Sequence, residues 1–325
     1  MAQQQRVLSP TAVAAPAQVG ARSGELSLLG KIRRDWLLLV LMAPGLLYLV
    51  VFIYLPNLGN IIAFQAYLPF LGFLKSPFVG FDNFAQLFGA PAFWSAVRNT
   101  IVISGMQLIL YFPVPIILAL MLNSLISSQV RRIIQSIIYL PHFISWVIIV
   151  ALFQQIFGGA GVVDHLFRAA GLPAPSLTNS PEWFKWMMTF QLIWKEAGWG
   201  TIIYLAALLS IEAELYEAAA VDGASSWRRL WHITLPGIMG VTILLLIIRL
   251  GAILSAGFEQ ILLQRNAVGP EAGEILDTYV YFQGIAAGQY AMAAAAGLIK
   301  AIVGLGLIFG ANKLAHKFGQ PGLIS

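Results

Sequence analysis

Cysteine is absent from all 325 residues, which excludes a disulfide, a thiol nucleophile and a thiolate-held metal. Charge is scarce as well. Asp, Glu, Lys and Arg make up 10% of the chain against 59% hydrophobic residues, whereas a soluble domain carries about 25% charged residues. Together with a mean hydropathy of +0.80, this excludes an ordinary soluble domain. The net charge is +5, but the basic residues sit singly or in pairs at the ends of apolar runs and form no patch, so no nucleic acid is expected as a partner. No G-x-x-x-x-G-K-[ST] phosphate loop is present; Gly30-Lys31 lacks both the first glycine and the following hydroxyl. H-E-x-x-H and G-x-S-x-G are missing too, as is any paired-carboxylate arrangement outside the polar loop 211–236, and His165, His232 and His316 have no metal-ligand spacing. Catalytic residues and a metal site are therefore expected to be none, and no cofactor is expected in this chain.

What the chain has is long apolar runs. A bilayer core of about 30 Å takes roughly 20 helical residues, and six stretches meet that length: 36–55, 97–122, 135–157, 183–210, 235–262 and 286–309. The expected fold is all-α, a polytopic membrane protein with six transmembrane helices. Residues 1–30 are rich in Gln, Ala, Pro, Ser and Gly, contain no apolar core and precede Lys31, Arg33 and Arg34. They read as a disordered cytoplasmic tail, with 31–325 as one membrane domain. If the N-terminus is cytoplasmic, the inside segments carry those three cations with Arg131, Arg132, Arg228, Arg229, Lys313 and Lys317, and the outside ones only Lys75, Arg98, Arg168, Lys185 and Arg265. This bias puts both termini in the cytoplasm. A short amphipathic piece, 162–170, is expected on the outer surface.

The most informative stretch is the polar loop 211–236 between the fourth and fifth runs. Glu212, Glu214 and Glu217 open a helical turn that cannot continue into lipid, and Ala218, Ala219 and Ala220 keep it slim enough for close approach to a partner. Gly223 stands where a left-handed residue would end that helix. Ser225 is placed to cap a second short helix through Trp231, and Pro236 to open the next span.

Glu217-Ala218-Ala219, three residues, Gly223, nine residues, Ile233, one residue and Leu235-Pro236 resemble, position for position, the E-A-A loop of permease subunits in binding-protein-dependent ABC importers. The resemblance extends over nearly the whole chain after residue 30. It includes Ala43-Pro44, Val79-Gly80-Phe81-Asp82-Asn83-Phe84, Tyr139-Leu140-Pro141-His142-Phe143-Ile144-Ser145-Trp146, Trp194-Lys195-Glu196-Ala197-Gly198-Trp199 and Tyr204-Leu205-Ala206-Ala207-Leu208. These are similar to sugar-importer permeases of the oligo- and polysaccharide branch, and within it to bacterial permeases for alginate oligosaccharides.

That resemblance implies a type I importer permease in the bacterial inner membrane, whose cytoplasmic coupling helix fits a cleft on an ATPase. The implied partners are a second permease in a heterodimer, two ATPase subunits that carry the ATP and Mg, an external solute-binding protein, and membrane lipid. By the same resemblance Glu217 and Asp222 face basic or polar groups of the ATPase, Gly223 gives the bend, and Arg228 and Arg229 meet acidic groups or lipid phosphates. The outside loops, including 78–84 and 160–180, are the expected docking surfaces for the binding protein. A secondary transporter, a channel subunit, or a permease of the same class for another solute are the alternatives.

Polar groups inside the apolar runs are costly unless they face a partner or a water-filled path. Lys195, Glu196 and Arg249 are read as lining a translocation route, with Trp194, Trp199 and Tyr204 as flat faces for a sugar ring. Lys195 and Arg249 would then contact an acidic cargo. The alternative for Lys195 and Glu196 is pairing with neighbours. Glu259 and Lys300 are placed in the fifth and sixth spans. Gly198 and Gly200 suggest a distortion of the fourth helix, and Pro113, Pro115 and Pro141 mark interruptions in the second and third. His142 reads as a structural histidine of the turn, with a proton relay as the alternative, since no acidic residue stands near it in sequence. Residues 271–277 read as a solvated acidic loop, alternatively as a contact for the binding protein.

Overall fold

The computed structural model describes residues 34–317, 319 and 322; the expected disordered tail at 1–30 lies outside the described residues. The chain divides into two units, Met1–Leu58 and Gly59–Ser325. The described part of the first is one helix, α1 (Trp36–Leu49), which continues through a π-helical turn, Val50–Tyr54, to Leu58. Its residues are apolar on every side, and Pro44 lies inside it. Just before it, Asp35 accepts hydrogen bonds from the Arg34 guanidinium at 2.9 and 3.1 Å, which hold its carboxyl below the usual carboxylate range.

The second unit is a helical bundle. Its elements are α2 (Asp82–Gly89), α3 (Pro91–Met106), α4 (Pro113–Asn123), α5 (Ser128–Tyr139), α6 (Trp146–Phe157), α7 (Val162–Ala169), α8 (Pro181–Leu209), α9 (Ala213–Val221), α10 (Ser226–Arg229), α11 (Met239–Gly251), α12 (Phe258–Val268), α13 (Leu276–Tyr281) and α14 (Tyr290–Lys317). Among the described residues the β-structure is a single antiparallel bridge between Gln65 and Phe78. Five helices are long and apolar enough to cross a membrane, and a sixth crossing results when Ser226–Gly237 and Met239–Gly251, bent by 55°, count as one span. The six-helix expectation therefore stands, but two spans are built differently from a plain apolar rod.

Pro113 and Pro115 do not break the second span. A π-helical turn, Gln107–Tyr111, precedes them, in which Phe112 N–H bonds Gln107 C=O at 3.3 Å. This widened turn absorbs the mismatch that a proline creates in the ladder. The third span, expected over 135–157, is discontinuous: α5 ends at Tyr139, Leu140–Phe143 form a 3-10 turn, and Ser145 caps α6 by accepting from Ile148 N–H at 3.5 Å. The fifth, expected over 235–262, kinks at Ile238 and is interrupted again between Gly251 and Phe258, where Gly257 adopts φ +94°. Glu259 consequently lies exposed in the first turn of α12 and not in a continuous span.

The fourth span is not interrupted. α8 runs unbroken for 29 residues, so Gly198 and Gly200 do not distort it. They serve close packing instead: a Cβ on Gly198 would stand 1.9 Å from the Ile138 carbonyl oxygen, and one on Gly200 3.0 Å from Pro115 Cγ. Three apolar clusters surround α8 and its neighbours. One joins Ile103, Ile149, Phe184, Met188 and Ile261; a second joins Phe93, Leu254, Tyr279 and Ala295; a third joins Leu122, Tyr204, Leu208 and Ile238.

Candidate functional site: a free-standing loop and the clamped breaks

α9 carries no buried residue, although it is apolar enough to include Leu215 and Val221 on its surface. Its end is set by the sequence. Ala224 N–H bonds Ala219 C=O at 2.8 Å, Gly223 N–H bonds Ala220 C=O at 3.1 Å, and Gly223 has φ +73°. This is the six-to-one and five-to-two pattern of a Schellman cap, and the alanines of the E-A-A stretch supply its acceptors. Ser225 Oγ accepts from Arg228 N–H at 3.3 Å and starts α10. The second helix does not stop at Trp231: it continues through a π-helical turn, Leu230–Thr234, to Gly237. Pro236 therefore lies inside this helix, in the part of the bent span that precedes the Ile238 kink.

The loop is tied down at its base and open at its tip. Tyr216 Oη and Thr234 Oγ1 are 3.0 Å apart, and Gly237 lets Ile211 approach so closely that a Cβ there would meet Ile211 Cδ1 at 2.6 Å. Leu235 packs beside Ile238 in the third apolar cluster, and Ile233 is partly covered. Glu217, Ala218, Asp222, Gly223 and Arg228 are exposed, while Ala219 and Arg229 are half-buried, the latter reaching Ser226 Oγ at 3.3 Å. Trp227 and Trp231 meet edge to face at 5.9 Å and are exposed, as aromatic anchors at a membrane surface are.

Inside the bundle the breaks at 140–145 and 252–257 are each held by a polar side chain from another span. Lys195, at the centre of α8 and 6% exposed, donates to the carbonyls of His142 at 2.6 Å and Ile144 at 2.7 Å. Those are carbonyls that the break in the third span leaves without helical partners. Its ammonium also lies 5.5 Å from the Trp146 ring centre and 3.7 Å from Glu196 Oε1. Glu196 Oε2 is 2.7 Å from His142 Nδ1, so the acidic partner that His142 lacks in sequence is supplied across 54 positions. The His142 ring stacks on Trp199 at 4.4 Å between centres and 5° between planes.

The break in the fifth span is held in the same way. Gln107 Nε2 donates to Ala256 C=O at 3.4 Å while its Oε1 accepts from Arg249 Nη2 at 2.7 Å. Further on, Asn99 Nδ2 donates to the carbonyls of Glu271 at 2.8 Å and Glu274 at 3.0 Å. Glu274 pairs with Arg265 at 3.0 Å, and Asp277 accepts from Lys300. The segment 271–277 is thus a buried, clamped turn and not a solvated acidic loop; among its three carboxylates only that of Glu271 belongs to an exposed residue. Gln191, Gln260 and Gln264 form a further buried network between α8 and α12, with bonds of 2.9 to 3.0 Å.

Of the expected path residues, Trp199, Tyr204 and Arg249 line one cavity of 260 Å³ between the second, fourth and fifth spans, together with Tyr111. The Arg249 guanidinium lies 5.5 Å from the Tyr111 ring centre. Trp194, Lys195 and Glu196 do not line it: Trp194 packs edge-on against Phe153 at 5.7 Å, and the other two occupy the clamp. Sequence reading missed Gln107 and Tyr111. The signal was available, since Gln107 is a polar residue in an otherwise apolar run, as Lys195 is.

A helical bundle with candidate membrane spans, a cavity among three of them and an exposed helix closed by a Schellman glycine fits a transport permease. Residues 111–318 match the family described as binding-protein-dependent transport system inner membrane component, and the chain belongs to it. It is 46% identical over 299 residues to Protein LplB of Bacillus subtilis (strain 168), covering 92% of this chain and 94% of that one. It is 44% identical over 297 residues to the polygalacturonan/rhamnogalacturonan transport system permease protein YteP of the same organism, covering 91% and 92%. Among solved structures it is similar to a chain of a bacterial alginate ABC transporter in complex with an alginate pentasaccharide-bound periplasmic protein. The TM-score is 0.83 at 39% identity, and the match covers 91% of this chain and 99% of that one. The fold is that of a type I ABC importer permease, and the chain is a multi-pass inner-membrane protein.

Proposed function

We propose that the chain is the permease subunit of an ATP-driven importer that accepts an acidic oligosaccharide, alginate-like in its carboxylates, from an external binding protein and passes it across the inner membrane by alternating access. The observation that carries this reading is the exposed α9 with its left-handed Gly223, on a chain similar over almost its full length to permeases of polyuronide importers. The loop 211–236 is the coupling element. Glu217, Ala218, Ala219, Asp222, Gly223, Arg228 and Arg229 face the cleft of an ATPase, and Ile233, Leu235 and Pro236 join the loop to the bundle. ATP and Mg belong to two separate ATPase subunits. A second, different permease completes the pathway, since six helices do not enclose a pore alone, and both termini are cytoplasmic.

Cargo passes along the cavity edged by Trp199, Tyr204 and Tyr111, where Arg249 supplies a cation for carboxylates. Lys195 and Glu196 support this route from behind, through the His142 ring stacked on Trp199, while Trp194 packs against Phe153. The test is the assembled transporter in vesicles with its binding protein. Loaded with an alginate oligosaccharide, the binding protein should raise ATP hydrolysis and drive uptake, and Arg249→Gln should lower uptake of the acidic oligosaccharide several-fold more than that of a neutral one. Stimulation by neutral sugars alone, or an Arg249→Gln variant that treats both alike, overturns the cargo assignment.

A further inference from the structure

The segment between Gln65 and Phe78 is built inside out. Its polar groups point inward: Gln65 Nε2 donates to Phe73 C=O at 2.9 Å, Ser76 Oγ donates to Gly72 C=O at 2.7 Å and accepts from Leu68 N–H at 3.2 Å, and Ala66 N–H bonds Pro77 C=O at 2.8 Å. Gln65 and Ser76 are buried. Its apolar side chains point outward: Phe70 is 81% exposed, Leu74 100% and Phe78 71%. A soluble loop does the reverse, because exposed phenylalanine and leucine gain nothing from water and the backbone polar groups would be satisfied by it.

We propose that this loop is an interfacial anchor, inserted into the lipid leaflet at the Tyr290 end of α14. Its depth follows from an aromatic chain: Phe73 stacks on Tyr67 at 5.5 Å, and Tyr67 meets Tyr290, the first residue of α14, edge-on at 6.1 Å. The loop is therefore level with the start of a spanning helix, where a bilayer passes from headgroups to acyl chains. Lys75 stands exposed beside Leu74, so its ammonium reaches a lipid phosphate while its stem lies along the apolar surface. Gly72, at φ +69°, turns the chain so that Phe73 and Leu74 sit at the tip. A bilayer is the occupant that fits because the patch has no polar side chain besides Lys75 and must stay covered throughout a cycle in which a soluble partner comes and goes.

The cysteine-free sequence makes the test direct. Single substitutions Phe70→Cys, Leu74→Cys and Phe78→Cys carry a nitroxide in the assembled transporter, with cysteine-free partner subunits, reconstituted in phosphatidylethanolamine and phosphatidylglycerol vesicles. Oxygen should collide with the labels at 70, 74 and 78 several-fold more often than a water-soluble nickel chelate does, as it does with nitroxides on lipid acyl chains, whether or not the binding protein is present. Free access of the chelate overturns the proposal. So do labels shielded from both reagents that open to the chelate once the binding protein is removed, since that result gives the patch to a protein partner. A normal thermal transition of each labelled transporter shows that the loop was measured in the folded chain, and the outcome is independent of which sugar is carried.

Discussion

Replacing Lys195 by methionine tests the clamp. The side chain keeps its length and loses its ammonium, which leaves the His142 and Ile144 carbonyls, now bonded at 2.6 and 2.7 Å, without donors in a site that is 6% exposed. A buried acceptor without a donor costs about 1–3 kcal/mol, and removing one partner of a buried charged arrangement costs about 3–5 kcal/mol as a whole. Withdrawing the ammonium from the centre of a spanning helix offsets part of this, because an unpaired charge there costs about 2.5–3.5 kcal/mol. The offset is partial: Lys195 is paired, and Glu196 would remain behind with His142 alone. A net loss of about 3 kcal/mol follows, which for a chain of this size corresponds to a drop of roughly 4–5 °C in the melting transition. Differential scanning fluorimetry of the chain in nanodiscs reads this directly. Transport should fall equally for acidic and neutral cargo, because the damage is to the turn that positions His142 and Trp199. An unchanged melting temperature combined with a defect confined to acidic cargo would refute the clamp and make Lys195 a cargo contact.

Gly223→Val forces a β-branched residue to φ +73°, at a cost of about 1–2 kcal/mol; the chain should still insert, but ATPase co-purification or binding-protein-stimulated hydrolysis should be lost, and normal coupling would remove α9 from its proposed role. Gly198→Ala places a Cβ 1.9 Å from the Ile138 oxygen and should destabilise by about 1–3 kcal/mol, whereas Gly306→Ala, with open space around it, should be neutral or slightly stabilising in the same melt. Asp277→Asn and Lys300→Met should each destabilise by about 1–3 kcal/mol and the double variant by less than the sum of the two; additive losses would show that the two do not act as a pair.

The features that could be read from sequence are those in which one residue type has one physical meaning. A glycine after an alanine-rich helical turn is a C-terminal cap, and Gly223 is one; a serine before a short helix is its N-cap, and Ser225 is one. Apolar run length located the crossings because burial in lipid depends on composition. Pro141 marked the break at 140–145, but run length could not locate the one at 252–257, since that segment stays largely apolar while its backbone departs from the helix. What permits a break is a donor elsewhere in the chain: Lys195 lies 53 positions from His142, and Gln107 lies 149 from Ala256. Glycine misled where its meaning is double. Gly198 and Gly200 are small for packing and not flexible for bending, and only the nearness of Ile138 and Pro115 tells the two apart. The same separation hid the Glu196 carboxylate from His142 and made the clamped residues 271–277 look like free acidic surface.

The 55° kink at Ile238 makes the fifth span a bell crank. On one side the arm Ser226–Gly237 is about 18 Å long, and on the other Met239–Gly251 is about 20 Å. Arms so nearly matched pass on displacement almost one for one, turning its direction without magnifying it. Under the coupling proposed above, the gap opening beside Arg249 would be no wider than the stroke delivered at Trp227, and the thickness of the sugar chain threaded would be set by how far the ATPases travel, not by leverage within the membrane.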